Sequence, residues 1–193
     1  MNICLIRHSI TEGNLQHRYI GKKTDIPLCP EGIALAKEQA LKVKKFNPDM
    51  LFVSPMIRCR ETASILFPDK LQIIINELEE CDFGDFEGKN FLELTNIKAY
   101  QDWIDSNGTL PFPNGESQYN FKQRCCKAIE SIFEKYQFES AAIVAHGGTL
   151  MSILSEYEES NKSYFSWNIK NCEPVYCKVN CVSPLKLKVY NQQ

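Results

Sequence analysis

The chain has 193 residues, 44% of them hydrophobic and 24% charged, with a formal charge of −2 at pH 7. That length suffices for one sizeable core, the composition is that of an ordinary globular protein, and the near-neutral balance excludes the broad basic face of a nucleic-acid-binding protein. No run reaches the roughly eighteen apolar residues of a membrane span, and residues 1–7 lack the charged head and apolar stretch of a secretory signal, so a cytoplasmic protein is expected.

Residues 3–6, Ile3-Cys4-Leu5-Ile6, read as a buried strand, and the string Arg7-His8-Ser9-Ile10-Thr11-Glu12-Gly13-Asn14 as the loop at its carboxyl end. Open α/β sheets bind their ligands at that end. A guanidinium fork there stands beside an imidazole able to act as nucleophile or acid/base, a pair suited to a phosphoryl group. Residues 17–32 combine glycine, prolines and alternating charge, the marks of a loop. Over 30–45 the spacing of Ile33, Leu35, Ala36, Ala40, Leu41 and Val43 predicts a helix, with Pro30 in its first turn and Asn47-Pro48 as the break. Residues 50–53 form a second buried strand. Ser54-Pro55 then opens a helix to about residue 66, with Arg58 in its first turn beside free backbone amides and Arg60 turned away as a surface arginine.

A third strand over 71–75 delivers the carboxylate-rich run from Asn76 to Gly88, which Phe83, Gly84, Phe86 and Gly88 give a defined shape, with room for one acid to be held inward. Residues 91–104 read as a helix, followed by the loose Pro111-Phe112-Pro113-Asn114-Gly115-Glu116-Ser117; the segment 81–117 is the candidate lid. A long helix over 116–138 aligns Phe121, Cys125, Ala128, Ile129 and Ile132 as core. The run Ala141-Ala142-Ile143-Val144-Ala145 again ends in histidine, His146, and its Gly147-Gly148 suits a tight turn whose amides approach an anion. A helix over 149–157 and two alternating, half-exposed strands over 174–179 and 185–190 complete the chain.

The nine scattered cysteines read as buried apolar residues or unpaired thiols of a reducing compartment. Cys172, Cys177 and Cys181 alone approach a metal-ligand spacing; lacking a tight pair or a nearby histidine, they read as core rather than zinc ligands. Alternating strands and helices predict a three-layer α/β/α sandwich on a mostly parallel sheet of about six strands, as one domain over 1–193.

Together the strand-end loops supply His8, His146, Arg7, Arg58, Asn14 and a choice of carboxylates, with neither a nucleotide-binding glycine loop nor a metal cage. This set suits phosphoryl transfer with no metal and no cofactor: an imidazole attacks phosphorus, guanidiniums hold the equatorial charge and a carboxylic acid protonates the departing alkoxide.

Four pieces occur in a fixed order: Arg7-His8 with Thr11 and Asn14; Ser54-Pro55-x-x-Arg58-x-x-x-Thr62-Ala63; Glu80-x-x-Phe83-Gly84-x-x-Glu87-Gly88; and His146-Gly147-Gly148. This set, spanning residue 3 to about 155, resembles the motifs of the histidine phosphatase superfamily, the phosphoglycerate-mutase-like fold. The resemblance implies that His8 is the phosphorylated nucleophile, that Arg7, Arg58, His146 and Gly147 line the phosphate pocket, and that Asn14 adds a hydrogen bond. It implies Glu80, four residues before Gly84, as the proton donor, with Glu77 and Glu79 as bystanders. Where the family usually has glycine this chain has Ser9, so the loop must accept a side chain there; activity is expected to survive. Tyr19-Ile20-Gly21-x-x-x-Asp25-x-Pro27-Leu28-x-x-x-Gly32 is similar to the α-ribazole phosphatase and broad phosphatase branch. The implied function is a phosphomonoester hydrolase acting on a small-molecule substrate such as α-ribazole 5′-phosphate, with no nucleic-acid or membrane partner. The alternatives are a cofactor-dependent phosphoglycerate mutase, usually a longer chain, and a non-catalytic phosphate-binding protein.

Overall fold

The computed structural model describes residues 1–190. Strand β1 (Asn2–Arg7) explains why residues 3–6 carry no polar side chain: Ile3 and Leu5 enter one hydrophobic core while Cys4 and Ile6 enter another. The chain continues through the one-turn helix α1 (Glu12–Leu15), α2 (Pro30–Val43), β2 (Met50–Val53), α3 (Ile57–Leu66) and β3 (Gln72–Ile74). It then passes the short helices α4 (Phe91–Leu94) and α5 (Lys98–Asp105) to α6 (Gln118–Lys135), β4 (Ser140–Ala145), α7 (Gly147–Tyr157), β5 (Pro174–Val182) and β6 (Leu185–Tyr190).

One six-stranded sheet in the order β3-β2-β4-β1-β5-β6 organises these elements. The strands from β3 to β1 run parallel and β5 and β6 are antiparallel additions at one side, so the sandwich is mostly parallel as expected. Period-two alternation sorts β1, β2 and β4 between two layers. Leu5, Phe52 and Ile143 meet α6 and α7 through Phe121, Ile129, Leu150 and Ile153, while Ile6, Val53 and Val144 meet α2 and α3 through Ala36, Val43, Cys59 and Ala63. Burial on both faces is why these strands are apolar throughout rather than alternating.

Several local expectations change. The helix expected over 91–104 is two helices: a capping box at Asn90 opens α4, which ends after one turn, and extended Ile97 restarts the chain as α5, turning both Leu94 and Tyr100 inward. Helix α6 ends at Lys135 because Tyr136 becomes extended, which lets Tyr136 and Phe138 pack on Phe52 at ring distances of 5.0 and 5.7 Å. The paired glycines after β4 form the first turn of α7 rather than a tight turn. Cys177 and Cys172 belong to different cores, and among the described residues no group of three His, Cys, Asp or Glu side chains could hold a metal. Among those residues no helix is long and apolar enough to cross a membrane.

Candidate active site

Strand register assembles the site. Arg7 pairs with Ala145 across the parallel β1–β4 ladder, so the residues that leave the sheet next, His8 and His146, emerge side by side; the His8 amide donates to the Ala145 carbonyl at 2.9 Å. Their rings lie 5.2 Å apart, edge to face. On the other flank of β4, Val53 pairs with Val144 and the Ser54 amide donates to Val144, which brings the Ser54 hydroxyl 2.8 Å from His146 Nε2. The end of β3 feeds a 3-10 turn, Asn76–Leu78, that carries Glu80 to the same level.

Each group is fixed in a definite state. His8 Nδ1 lies 2.7 Å from the Ser9 carbonyl, an acceptor only, so Nδ1 carries the proton and Nε2 presents its lone pair. Burial, then Arg58 and Arg7, push the His8 pKa well below the ordinary imidazole value, so the ring is neutral. His146 is lowered in the same way by burial, Arg58 and His8. Cys59, a buried thiol pushed up to about 12 by desolvation, packs 3.5 Å from His146 Nε2 and acts as a protonated wall rather than a nucleophile.

Arg58 is fully buried, with Nη1 donating to the Thr24 carbonyl at 2.9 Å and Nη2 to Gly21 at 3.1 Å, while its ion pair to exposed Asp25 is long, 4.0 Å. Asp25 serves the amino terminus of α3 instead, accepting the Ile57 amide at 2.7 Å. Arg7 donates from Nη1 to Ile169 at 3.0 Å. The Nε groups of both arginines are buried and have no hydrogen-bond partner among the described residues. A buried guanidinium N–H without an acceptor is costly, and an anion placed beside these two would supply one.

Glu80 alone among the acids of the 77–87 run is buried. Its Oε1 accepts the Cys81 amide at 3.0 Å and its Oε2 the Gly148 amide at 3.1 Å. Desolvation raises its pKa above the ordinary carboxylate value, against those amides and the two arginines. Gly148 makes this approach possible, since a Cβ there would sit 2.6 Å from Glu80 Oε1; at Gly147 a Cβ would lie 3.4 Å from Arg7 Nε. Asn14 is set apart from this group: its Oδ1 accepts from the Thr11 amide at 3.0 Å and hydroxyl at 3.1 Å, capping α1, which leaves its Nδ2 as the outward donor.

Ser9 fits because its buried hydroxyl donates to the Gly32 carbonyl at 2.7 Å, tying the loop to the first turn of α2. Its amide donates to Thr62 Oγ1 at 2.9 Å, and that hydroxyl donates to the Arg58 carbonyl at 2.7 Å, linking the His8 loop to α3. The Arg58-x-x-x-Thr62 spacing, one helical turn, signals this link in the sequence; nothing local signals Ser54 as the partner of His146. Arg60 is exposed and lies outside the site.

A cavity of about 340 Å³ opens from Arg7, Glu80, Gly147 and Gly148, walled by the rings of Tyr19, Phe83, Trp103, Phe112, Phe121, Tyr164 and Phe165. The segment 81–117 supplies one wall through Cys81, Phe83, Trp103, Gly108 and Phe112, while residues 164–169 supply a second that sequence patterns did not mark.

The profile of the histidine phosphatase superfamily (branch 1) matches residues 3–182. The chain belongs to that superfamily. It is 33% identical over 172 residues to the uncharacterized phosphatase PhoE of Bacillus subtilis strain 168, covering 88% of this chain and 83% of that one. Against the adenosylcobalamin/alpha-ribazole phosphatase of Escherichia coli K12 it is 30% identical over 160 residues, 80% of this chain and 78% of the relative. The crystal structure of the alpha-ribazole phosphatase from Shigella flexneri superposes with a TM-score of 0.86 at 25% identity, over 100% of this chain and 96% of that one. This histidine phosphatase thus shares the phosphoglycerate-mutase-like fold of its relatives.

Proposed function

We propose that this enzyme is a metal-independent phosphomonoester hydrolase working through a phosphohistidine on His8. His8 Nε2 forms a bond to phosphorus as the ester P–O bond breaks, and the Glu80 proton passes to the departing oxygen, giving an alcohol, phosphohistidine and a Glu80 carboxylate. Water then bonds to phosphorus as the P–N bond breaks and gives a proton to Glu80, so phosphate leaves and both residues return to their starting states. Arg7, Arg58, His146, the Asn14 amide nitrogen and the Gly147 amide carry the charge on the non-bridging oxygens. For His146 to donate to phosphate from Nδ1, the Ser54 hydroxyl donates to its Nε2.

The observation that carries this reading is the pair of buried guanidinium N–H groups, Arg7 Nε and Arg58 Nε, that lack a partner among the described residues and stand beside two apposed neutral imidazoles. A tetrahedral phosphoryl group supplies the acceptors these donors lack. The aromatic cavity favours an alcohol that carries a flat apolar ring, as the base of α-ribazole 5′-phosphate does, with the segment 81–117 acting as its lid. A phosphoglycerate mutase retains a carboxylate-bearing product, yet the cavity lining holds no cation besides Arg7, which favours hydrolysis. The unpaired cysteines suit a reducing, cytosolic setting.

The test is single-turnover labelling with a 32P-phosphomonoester, alongside turnover of a generic aryl phosphate. Acid-labile label on the wild type, inhibition by vanadate, insensitivity to chelators and loss of roughly 10⁴-fold or more in the His8→Ala variant are expected. Wild-type rates in His8→Ala overturn the reading.

A further inference from the structure

Arg124, on α6, takes no part in the pocket, yet all five of its N–H donors are committed. Nε and Nη2 grip the Glu116 carboxylate in a two-pronged pair at 3.1 and 2.9 Å. Nη1 donates to the carbonyls of Glu77 at 2.8 Å and Glu79 at 3.0 Å, and Nη2 to the carbonyl of Glu80 itself at 3.2 Å. Glu116 extends the grip past the acid: its amide donates to the Asp82 carbonyl at 2.9 Å, and its carboxylate accepts the Asp82 amide at 3.4 Å. The backbone is therefore pinned at residues 77, 79, 80 and 82 by one ion pair, whose side chains are only 22% and 15% exposed. Residues 79–83 belong to no helix or strand, so beyond this grip their carbonyls are met by single bonds rather than a ladder, from the Lys22 amide to Cys81 and the Thr149 hydroxyl to Glu79, each at 3.2 Å.

We infer that the Arg124–Glu116 pair is a positioning device that aims the Glu80 carboxyl at the departing oxygen. This role rests on the reading of Glu80 as proton donor. Proton transfer depends on placement within hydrogen-bond reach, and an error of about 1 Å in such a group lowers rates by roughly 10²-fold. Only the planar fork of arginine spans a carboxylate and three carbonyls at once; a lysine keeps the charge and loses the geometry. An ion pair that merely held the fold together would, when weakened, slow every substrate alike. A device that aims an acid slows those substrates whose alcohols need the proton.

The experiment compares kcat/KM, which reports the step in which the alcohol departs, for an unactivated alkyl phosphate and for 4-nitrophenyl phosphate, whose phenolate leaves without help. Arg124→Lys and Glu116→Gln are measured beside Glu80→Gln, with circular dichroism on each. The alkyl-to-aryl ratio is expected to fall roughly 10-fold or more in Arg124→Lys and in Glu116→Gln, while the aryl rate moves less than about 3-fold. In the Glu80→Gln background the Arg124→Lys change is expected to leave the ratio where it is. If Glu80→Gln shifts the ratio and neither Arg124→Lys nor Glu116→Gln does, or if both substrates slow equally, the positioning role is wrong and the acid assignment stands. If Glu80→Gln leaves the ratio unchanged, the acid assignment falls and the positioning role with it. Glu116→Gln keeps size and shape, so the question is answered even if Arg124→Lys does not fold.

Discussion

The phosphate end of the site and its aromatic end are built differently. At the first, His8, Ser54 and His146 leave three adjacent parallel strands at one level, and their hydrogen bonds run to neighbours in the ladder or to backbone carbonyls. At the second, the cavity wall is made from 81–117 and 164–169, two short helices, two 3-10 turns and loops whose rings pack against one another, such as Trp103 on Phe112 at 5.0 Å. Chemistry sits where the backbone is over-determined, and substrate choice sits where side chains set the shape.

That contrast predicts how substitutions divide. Arg58→Ala is expected to lower kcat/KM by roughly 10³-fold and by the same factor for alkyl and aryl phosphates, since it removes charge from the group all substrates share; steady-state kinetics on both classes checks it. A strongly substrate-dependent loss would dissolve the division between the two ends. Glu80→Gln is expected to slow alkyl phosphates by roughly 10²-fold or more. It also tests the pH dependence. The first step needs His8 neutral and Glu80 protonated, so His8 limits activity as pH falls and Glu80 as pH rises. With ordinary values the two requirements would barely overlap; lowering His8 by burial and raising Glu80 by burial move both limits toward overlap. The high-pH fall in kcat/KM is therefore expected to lie above the ordinary carboxylate range and to vanish in Glu80→Gln. Trp103→Ala is expected to raise KM roughly 10-fold for esters of aromatic alcohols while leaving the Ki of vanadate unchanged. A matching rise in that Ki would mean that the two ends are one unit. Ser9→Gly is expected to cost about 1–2 kcal/mol in chemical denaturation, through the lost hydrogen bond to Gly32 and the freer loop, with kcat altered less than about 2-fold.

The same division governed what the sequence disclosed. Apolar runs ending in Arg7-His8 and in His146 announce strands with a charged end, because a strand buried on both faces has no room for polar residues until it leaves the sheet. Burial of Glu80 rather than Glu77 or Glu79 followed from likeness to a family motif, not from pattern, since all three stand in one acidic run. The wall at 164–169 and the grip of Arg124 were illegible for a shared reason. Each depends on contacts between segments far apart in the chain, and such contacts leave no local period to read.

The pairing of Arg7 with Ala145 joins the first strand to one that lies across most of the intervening sequence from it. A slip of a single residue in that register would turn one imidazole away from the other. Recovery of turnover after dilution from denaturant therefore serves as a clock for a long-range strand closure, and it should lag any signal from the helices.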